Sequence, residues 1–310
     1  MPHRSLTFRQ SRISYYRWGK GPRLLLCFHG YGESAPGFSF LEDFLGDAFT
    51  ILAIDLPFHG QTDWKEAPLT PTTLLAIIEE IIVRELSCPP SLAAGSPAVT
   101  ASIPGELTPE KGAPPLATSP GWWLMGYSMG GRIALSLLEH APERIDRLIL
   151  LAPDGLVVNP WYWLATQTRP GRQLFKWTMY HPGWFFLVLR MGNKLGLVNP
   201  SVYKFVANYV DNKEIRSALY TRWTGLRLFK PRLAMIKNII RTRQLPVQLL
   251  YGRFDRIIRV ERGEQFRKGI EPWCELTVIP AGHQLLKKDH IQALLSALEP
   301  QQAARRNDRL

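Results

Sequence analysis

The sequence has few cysteines and no pattern that would use them. Its 310 residues include three, Cys27, Cys88 and Cys274, and no C-x-x-C motif occurs. Because the number is odd and the spacing is wide, neither a disulfide framework nor a zinc site is indicated. We therefore predict a protein of a reducing compartment, cytoplasmic by default, that holds no metal and no other cofactor.

Long apolar runs are also missing. No stretch of about 18 uncharged apolar residues occurs, which predicts that no helix spans a membrane. The first residues lead into Leu6, Thr7 and Phe8 without the apolar segment of a secretory signal, so none is expected.

Aromatic residues are absent from residues 87–120. This stretch contains eight prolines and many small residues. Such a composition cannot bury enough apolar surface to offset the entropy lost on ordering, so we predict a disordered surface insertion. A proline-rich interaction segment is the alternative, although P-x-x-P patterns are frequent by chance. The polar tail at residues 301–310 is expected to be frayed as well.

Acidic residues are scarce in residues 156–243. This region has fifteen lysines and arginines and two acids, so it carries about +13 in a chain of net charge +12. Tryptophan, tyrosine and phenylalanine lie among the basic residues, which is typical of helices at a membrane interface. The alternative is a solvated basic surface over an aromatic pocket. No nucleic-acid motif accompanies the charge, so nucleic acid is not expected as a partner.

Short apolar runs of the buried-strand type recur elsewhere, separated by runs with helical spacing. Residues 5–18 add a loosely alternating pair of edge strands, and Thr70 or Thr72 is a candidate cap for the helix that follows it. This alternation predicts a mostly parallel sheet with helices on both faces, and function at the carboxyl ends of its strands. The predicted buried strands are residues 23–28, 49–54, 122–125, 147–151, 247–251 and 275–279.

Residues 126–131 fit the pattern G-x-S-x-G and lie between a predicted strand and a predicted helix. A nucleophile elbow needs this setting, because its sharp turn exposes the serine hydroxyl above the sheet. Ser128 is therefore a candidate nucleophile. Gly126 and Gly130 let the neighbouring chain pass close, and the N–H of Met129 is directed towards a developing oxyanion. A glycine-rich turn with an idle serine is the alternative interpretation.

Other chemically active residues follow the remaining predicted strands. His29, Asp154, Asp255 and His283 each come at or just after a strand end, so they belong to the same edge of the sheet as Ser128. The order serine, acid, histidine matches the order in one class of hydrolase. Either Asp255 or Asp154 is a candidate for the acid. Taken alone, Asp255 could cap its own turn and His283 could be an ordinary surface or core residue.

Five ordered motifs together resemble serine hydrolases of the α/β-hydrolase superfamily. They occupy residues 29–32, 55–60, 126–131, 252–255 and 282–283. The resemblance covers about residues 10–298 apart from the insertion. It implies an α/β-hydrolase core at residues 1–155 and 244–300, and a helical cap, residues 156–243, inserted over the strand ends.

The resemblance also implies roles for individual residues. Ser128 would be the nucleophile, Asp255 the acid that orients the base, and His283 the base. The oxyanion donors would be the N–H groups of Tyr31 and Met129. Supporting positions would be His29 and Gly30 in the oxyanion loop and Gly126 and Gly130 at the elbow, with Asp154 as the alternative acid.

One position departs from the family pattern. Phe58 stands where relatives often carry glycine in the turn at residues 55–60. That turn is mostly structural in the family, so the predicted chemistry is unaffected. A serine at the elbow also argues against the dehalogenase and epoxide hydrolase branches, which use aspartate there.

The sequence thus predicts a metal-free hydrolase that cleaves a carboxylic ester through an acyl-enzyme intermediate. The aromatic, basic cap favours an apolar or lipid-like ester, and contact with an anionic membrane surface. Thioester, amide and C–C bond hydrolysis stay open, because the triad does not select the leaving group. A ligand-binding module on a catalytically inactive hydrolase fold is the alternative from another class.

Overall fold

The computed structural model describes residues 2–66, 68–86, 121–157, 160–195 and 211–298. The predicted insertion at 87–120 and the predicted tail at 301–310 lie outside the described residues, as do residues 196–210 of the predicted cap.

Eight strands form one sheet in the described part of the chain, in the order β1-β2-β4-β3-β5-β6-β7-β8. β1 and β2 pair antiparallel, as do β2 and β4, and all other neighbours are parallel. The predicted α/β fold with a mostly parallel sheet is confirmed. The strands are β1 (His3–Phe8), β2 (Ser11–Trp18), β3 (Arg23–Phe28), β4 (Phe49–Ile54), β5 (Trp122–Tyr127), β6 (Ile145–Leu151), β7 (Val247–Gly252) and β8 (Cys274–Ile279).

The central strands are mostly apolar because both faces of the sheet are covered. All six residues of β4 and five of the six in β3 are buried. A strand covered on both faces shows a continuous apolar run instead of alternation. At the edge, β1 buries only Leu6, so its other side chains remain polar or partly exposed.

Ten α-helices lie in the described residues, with short 3₁₀ turns between some of them. Thr70, one of the two predicted caps, accepts a hydrogen bond from the N–H of Thr73 at 3.0 Å, and Pro71 is the first helical residue. The helices are α1 (Glu42–Leu45), α2 (Pro71–Leu86), α3 (Met129–His140), α4 (Pro160–Gln167), α5 (Arg169–Tyr180), α6 (Gly183–Lys194), α7 (Lys213–Gly225), α8 (Leu233–Arg243), α9 (Val260–Arg267) and α10 (Ile291–Leu298).

The helices of residues 160–243 pack in two different ways. α4, α5 and α7 contact one another. α8 instead contacts α3, and its Ile236, Ile239 and Ile240 belong to the buried core. Residues 233–243 were predicted to belong to the cap, whereas the apolar side of α8 packs on α3, the helix that follows the elbow.

None of the described helices combines the length and the apolar character that crossing a bilayer requires.

Candidate active site

Ser128 lies in the turn between β5 and α3, with φ 49° and ψ −113°. The left-handed region costs a residue with a side chain about 1–2 kcal/mol, so the turn must be held by its neighbours. The Ser128 N–H donates to the carbonyl oxygen of Leu151 at 2.9 Å. The Ser128 carbonyl accepts from the N–H groups of Gly131 and Asp154, at 2.9 and 2.8 Å. The strained conformation is therefore fixed from both sides.

Glycines around Ser128 allow α3 to start against the sheet. A side chain at Gly126 would collide with the backbone of Gly130 and Gly131. A side chain at Gly130 would collide with the carbonyl oxygen of Phe28, at the end of β3. Because neither glycine has a Cβ atom, the first turn of α3 can contact the end of the neighbouring strand.

Ser128, His283 and Asp255 form a hydrogen-bonded row. Nε2 of His283 lies 3.0 Å from Oγ of Ser128, and Nδ1 of the same ring lies 2.7 Å from Oδ2 of Asp255. These residues are separated by up to 155 positions in the chain. The parallel sheet brings them together because β5, β7 and β8 end at the same edge.

The carboxylate of Asp255 is held in place by its own loop. Its Oδ1 accepts hydrogen bonds from the N–H groups of Ile257 and Ile258, at 2.7 and 2.9 Å. The side chain is fully buried. Because Oδ1 is occupied by the backbone, Oδ2 faces the imidazole of His283 in a fixed direction.

The carboxylate of Asp154 is directed elsewhere. Its Oδ2 lies 3.5 Å from Nε of Arg132, and its Oδ1 accepts from the N–H of Gly155 at 2.8 Å. Arg132 belongs to α3, so this pair joins the loop after β6 to the helix after the elbow. Of the two candidate acids, the fold brings Asp255 to His283.

His29 joins the loops that follow β3 and β4. Its Nε2 accepts a hydrogen bond from the N–H of Leu56 at 3.1 Å, so the ring proton is on Nδ1, which donates to the carbonyl oxygen of Gly30 at 2.8 Å. Complete burial lowers the pKa of His29 to about 4. The ring is therefore neutral at physiological pH and fixes the backbone at Gly30.

The two predicted oxyanion donors lie on neighbouring segments. Met129 is the first residue of α3, and N–H groups of a first helical turn have no partner within the helix. Tyr31 is two residues beyond His29, whose carbonyl oxygen lies 2.9 Å from where a Cβ of Gly130 would be. The start of α3 thus lies against the loop that contains Tyr31.

Two residues near His283 were not singled out from the sequence. The hydroxyl of Tyr127 donates to the carbonyl oxygen of His283 at 3.1 Å, and the two rings are 5.5 Å apart. Burial raises the pKa of Glu33, against the opposing effects of the Gly30 N–H and of His283. Tyr127 is the variable residue of G-x-S-x-G, so the motif gave no signal. Glu33 follows the histidine–glycine motif without any pattern of its own.

The described residues offer no cluster of three or more histidine, cysteine, aspartate or glutamate side chains that would hold a metal ion. The chemistry available at the strand ends is that of a hydroxyl, an imidazole and a carboxylate.

Fold and site together define an α/β hydrolase with a serine at the elbow. The family model described as serine aminopeptidase, S33 (Hydrolase_4) matches residues 117–289, which is more than half of the chain. The chain belongs to this family. The predicted superfamily and serine hydrolase class are thereby confirmed.

Three curated relatives show how distant the similarities are. The chain is 22% identical to the uncharacterized hydrolase YugF of Bacillus subtilis over 285 residues, with 91% of both chains covered. It is 20% identical to a pimeloyl-[acyl-carrier protein] methyl ester esterase of Vibrio campbellii over 292 residues, covering 90% of this chain and 94% of that one. A dihydrolipoyllysine-residue acetyltransferase component of an acetoin cleaving system, from Cupriavidus necator, is 29% identical over 163 residues. That match covers 51% of this chain and only 35% of the relative's own length.

Solved structures with the same fold are equally distant in sequence. A probable hydrolytic enzyme of Pseudomonas aeruginosa has a TM-score of 0.60 at 18% identity, covering 96% of this chain and 94% of that one. A thermophilic esterase of Thermogutta terrifontis has a TM-score of 0.60 at 16% identity, covering 96% and 98%. These similarities establish the fold.

Proposed function

We propose that the protein is a serine hydrolase that cleaves a carboxylic ester through an acyl-enzyme intermediate. The observation that carries the proposal is the row Ser128, His283 and Asp255, with separations of 3.0 and 2.7 Å. A serine hydroxyl is a weak nucleophile until a base takes its proton, and the row supplies both the base and its orienting acid.

Acylation follows from this arrangement. Oγ of Ser128 attacks the ester carbonyl while Nε2 of His283 takes the hydroxyl proton. Asp255 accepts a hydrogen bond from Nδ1 and stabilises the imidazolium. The N–H groups of Tyr31 and Met129 are the proposed donors to the tetrahedral oxyanion, and loss of one such donor typically costs about 3–4 kcal/mol of transition-state stabilisation. The intermediate collapses, and the imidazolium gives its proton to the leaving alcohol.

Deacylation repeats the sequence with water. Nε2 of His283 takes a proton from the water that attacks the acyl carbon, and a second tetrahedral oxyanion forms. When it collapses, the C–Oγ bond breaks, the proton returns to Oγ of Ser128, and the carboxylic acid leaves. Every proton moves through one imidazole, so no cofactor is needed for the cycle.

An apolar acyl group is the proposed substrate class. Support comes from aromatic side chains that pack together inside the cap: the ring centroids of Tyr162 and Trp223 are 5.1 Å apart, and those of Phe175 and Trp223 are 5.6 Å apart. Burial of an acyl chain against such side chains contributes about 0.8 kcal/mol per CH₂. One distant relative carries the name of a methyl ester esterase.

Labelling with a fluorophosphonate probe tests the nucleophile directly, since the probe modifies only an activated serine. We expect the folded protein to be labelled on Ser128 and the Ser128→Ala variant to remain unlabelled. Absence of label on the folded protein would leave the alternative, a ligand-binding module on the hydrolase fold.

A panel of p-nitrophenyl esters of graded acyl length tests the substrate class. We expect kcat/KM to rise with chain length, about fourfold per CH₂ if each is fully buried. Thioesters of the same acyl groups belong in the panel, because a structural neighbour is a thioesterase domain from a curacin biosynthetic pathway. A consistent preference for thioesters would replace the ester assignment.

A further inference from the structure

The consecutive helices α5 and α6 expose an unusual amount of apolar surface. On α6, Leu187, Val188 and Met191 are 61%, 56% and 55% exposed, and no residue of this helix is fully buried. On α5, Trp177 and Tyr180 are 48% and 67% exposed. Isolated exposed apolar residues are ordinary on a protein surface, whereas a contiguous group marks an interaction site.

The most exposed apolar residues of α6, together with Leu195 directly after it, lie on one side of the helix. At 100° per residue, Leu187, Val188, Met191 and Leu195 fall within an arc of about 100°. Arg190 and Lys194 project from the edge of the same arc and are exposed. Long basic side chains in this position extend their charge to one side while their methylene groups cover apolar surface.

An aromatic cluster joins the two helices. The rings of Trp177 and Trp184 stack with centroids 5.5 Å apart, and Phe185 and then Phe186 continue the cluster at 6.0 and 6.4 Å. Tryptophan and other amphipathic aromatic residues favour the boundary between lipid and water, where their rings contact apolar groups and their polar atoms stay hydrated.

The positive charge of α5 and α6 indicates what kind of surface they bind. Residues 155–210 contain no acidic residue, and α5 and α6 contribute Arg169, Arg172, Lys176, Arg190 and Lys194. A basic helix pair with an apolar, tryptophan-rich side matches an anionic bilayer surface both in charge and in composition. An acidic protein surface would satisfy the charge but would not require so much apolar area beside it.

We propose that the exposed apolar and basic surface of α5 and α6 is a docking surface for bilayers that contain anionic lipid. α5 and α6 lie parallel to the bilayer surface, with the apolar side in contact with the acyl chains and the basic residues at the headgroups. This binding is independent of the proposed hydrolytic activity, so failure of one leaves the other intact. Docking would bring the cap, and the strand ends beneath it, to a surface where apolar esters concentrate.

Vesicle sedimentation tests the docking surface. The full chain is mixed with phosphatidylglycerol–phosphatidylcholine vesicles or with pure phosphatidylcholine vesicles, at low and at high salt. We expect strong binding to the anionic vesicles at low salt and weaker binding at high salt, because exposed charges are screened beyond roughly 8–10 Å. No binding to the anionic vesicles at low salt would overturn the proposal.

Two pairs of variants separate the charge from the apolar side. Arg190→Glu with Lys194→Glu is expected to lower binding at low salt at least about 10-fold. Arg12→Glu with Lys20→Glu makes the same charge change at exposed positions of the core. Leu187→Ser with Val188→Ser is expected to lower the salt-resistant binding about 10-fold. Its control is Val83→Ser with Leu86→Ser, at exposed apolar positions of α2.

The controls decide the outcome. If both core controls reduce vesicle binding as much as the α6 variants do, the attraction is general and the docking surface is not on α5 and α6. Poly-L-glutamate is the test of an acidic protein partner, and binding to it without binding to vesicles would also overturn the proposal. Melting temperature and hydrolysis of p-nitrophenyl acetate verify that each variant is folded.

Discussion

Arg222 on α7 donates a hydrogen bond from Nε to the carbonyl oxygen of Phe58, 3.0 Å away in the turn after β4. The same guanidinium lies over the ring of Tyr31, 5.2 Å from its centroid. A residue of α7 therefore contacts both the loop after β3 and the loop after β4. His29 joins the same two loops through its hydrogen bonds with Gly30 and Leu56.

The contact explains a residue that departs from the family pattern. Phe58 has φ 67°, a conformation that normally favours glycine. Its ring packs against α7 at Gly225, where any side chain would collide with it. The left-handed backbone at Phe58 thus directs its ring to a contact that joins α7 to the turn after β4.

We predict that Arg222 positions the oxyanion loop. Arg222→Ala should lower kcat for a short acyl ester about 10-fold with a smaller change in KM, because displacing a catalytic donor weakens transition-state stabilisation more than substrate binding. Arg222→Lys keeps a donor for the Phe58 carbonyl and should restore part of kcat. Steady-state kinetics on p-nitrophenyl acetate measure both effects.

Arg227→Ala is the matched control for this prediction. Arg227 donates to the carbonyl oxygen of Thr224, at the end of the same helix. The substitution therefore removes a guanidinium without affecting the loop after β4. An equal loss of kcat in Arg227→Ala would show that α7 acts through general stability and not through Arg222.

The nucleophile is tested by Ser128→Ala. We expect kcat to fall by a factor on the order of 10⁶, since loss of the attacking group removes the covalent route. Alanine at φ 49° keeps the same backbone strain, and the backbone hydrogen bonds of residue 128 do not involve its side chain. The melting temperature should therefore change little. Retention of a tenth of the activity would exclude Ser128 as the nucleophile.

The acid is tested by comparing two conservative substitutions. Asp255→Asn should lower kcat by roughly 10⁴, because an amide at this position no longer stabilises the imidazolium of His283. Asp154→Asn should lower it less than about 10-fold, since the contacts of Asp154 are with Arg132 and Gly155. The reverse ranking in steady-state assays would assign the acid to Asp154.

Two buried histidines predict a loss of stability in acid. Burial lowers the pKa of His29 to about 4 and that of His59 to about 3, with His29 adding to the effect on His59. In the unfolded chain both histidines bind a proton below about pH 6.5, whereas in the folded protein they bind it only near pH 4 and pH 3. The stability that depends on their neutral form is therefore complete above pH 6.5 and is lost as the pH falls. We expect the free energy of unfolding to fall between pH 6.5 and about 4, by up to about 1.4 kcal/mol per pH unit for each histidine.

Urea unfolding at a series of pH values measures this slope. His59→Asn retains a side-chain N–H that can donate to the carbonyl oxygen of Pro57, as Nδ1 of His59 does at 2.9 Å, but it does not titrate. The variant should lose less stability than the wild type over the same pH range. Identical slopes would mean that other groups cause the acid sensitivity.

Local patterns were sufficient for the sheet and its helices. Residues 23–28 and 49–54 were predicted as buried strands and form β3 and β4 with the same bounds. A continuous apolar run identifies a strand covered on both faces, because no position on it faces water. Such patterns do not determine where a helix begins: α10 starts only at Ile291, after a 3₁₀ turn at Lys288–His290.

The sequence by itself determined the order of the elements and which residue types follow each strand, because hydrophobic spacing and glycine turns are local properties. Only the tertiary structure showed that Asp255, and not Asp154, meets His283, since both follow a strand and only the direction of each carboxylate distinguishes them. It also decided the contact of Arg222 with Phe58, which joins positions 164 residues apart. The local sequence does not distinguish Arg222 from the other fourteen lysines and arginines of residues 156–243. A contact at such separation depends on how the whole chain is packed.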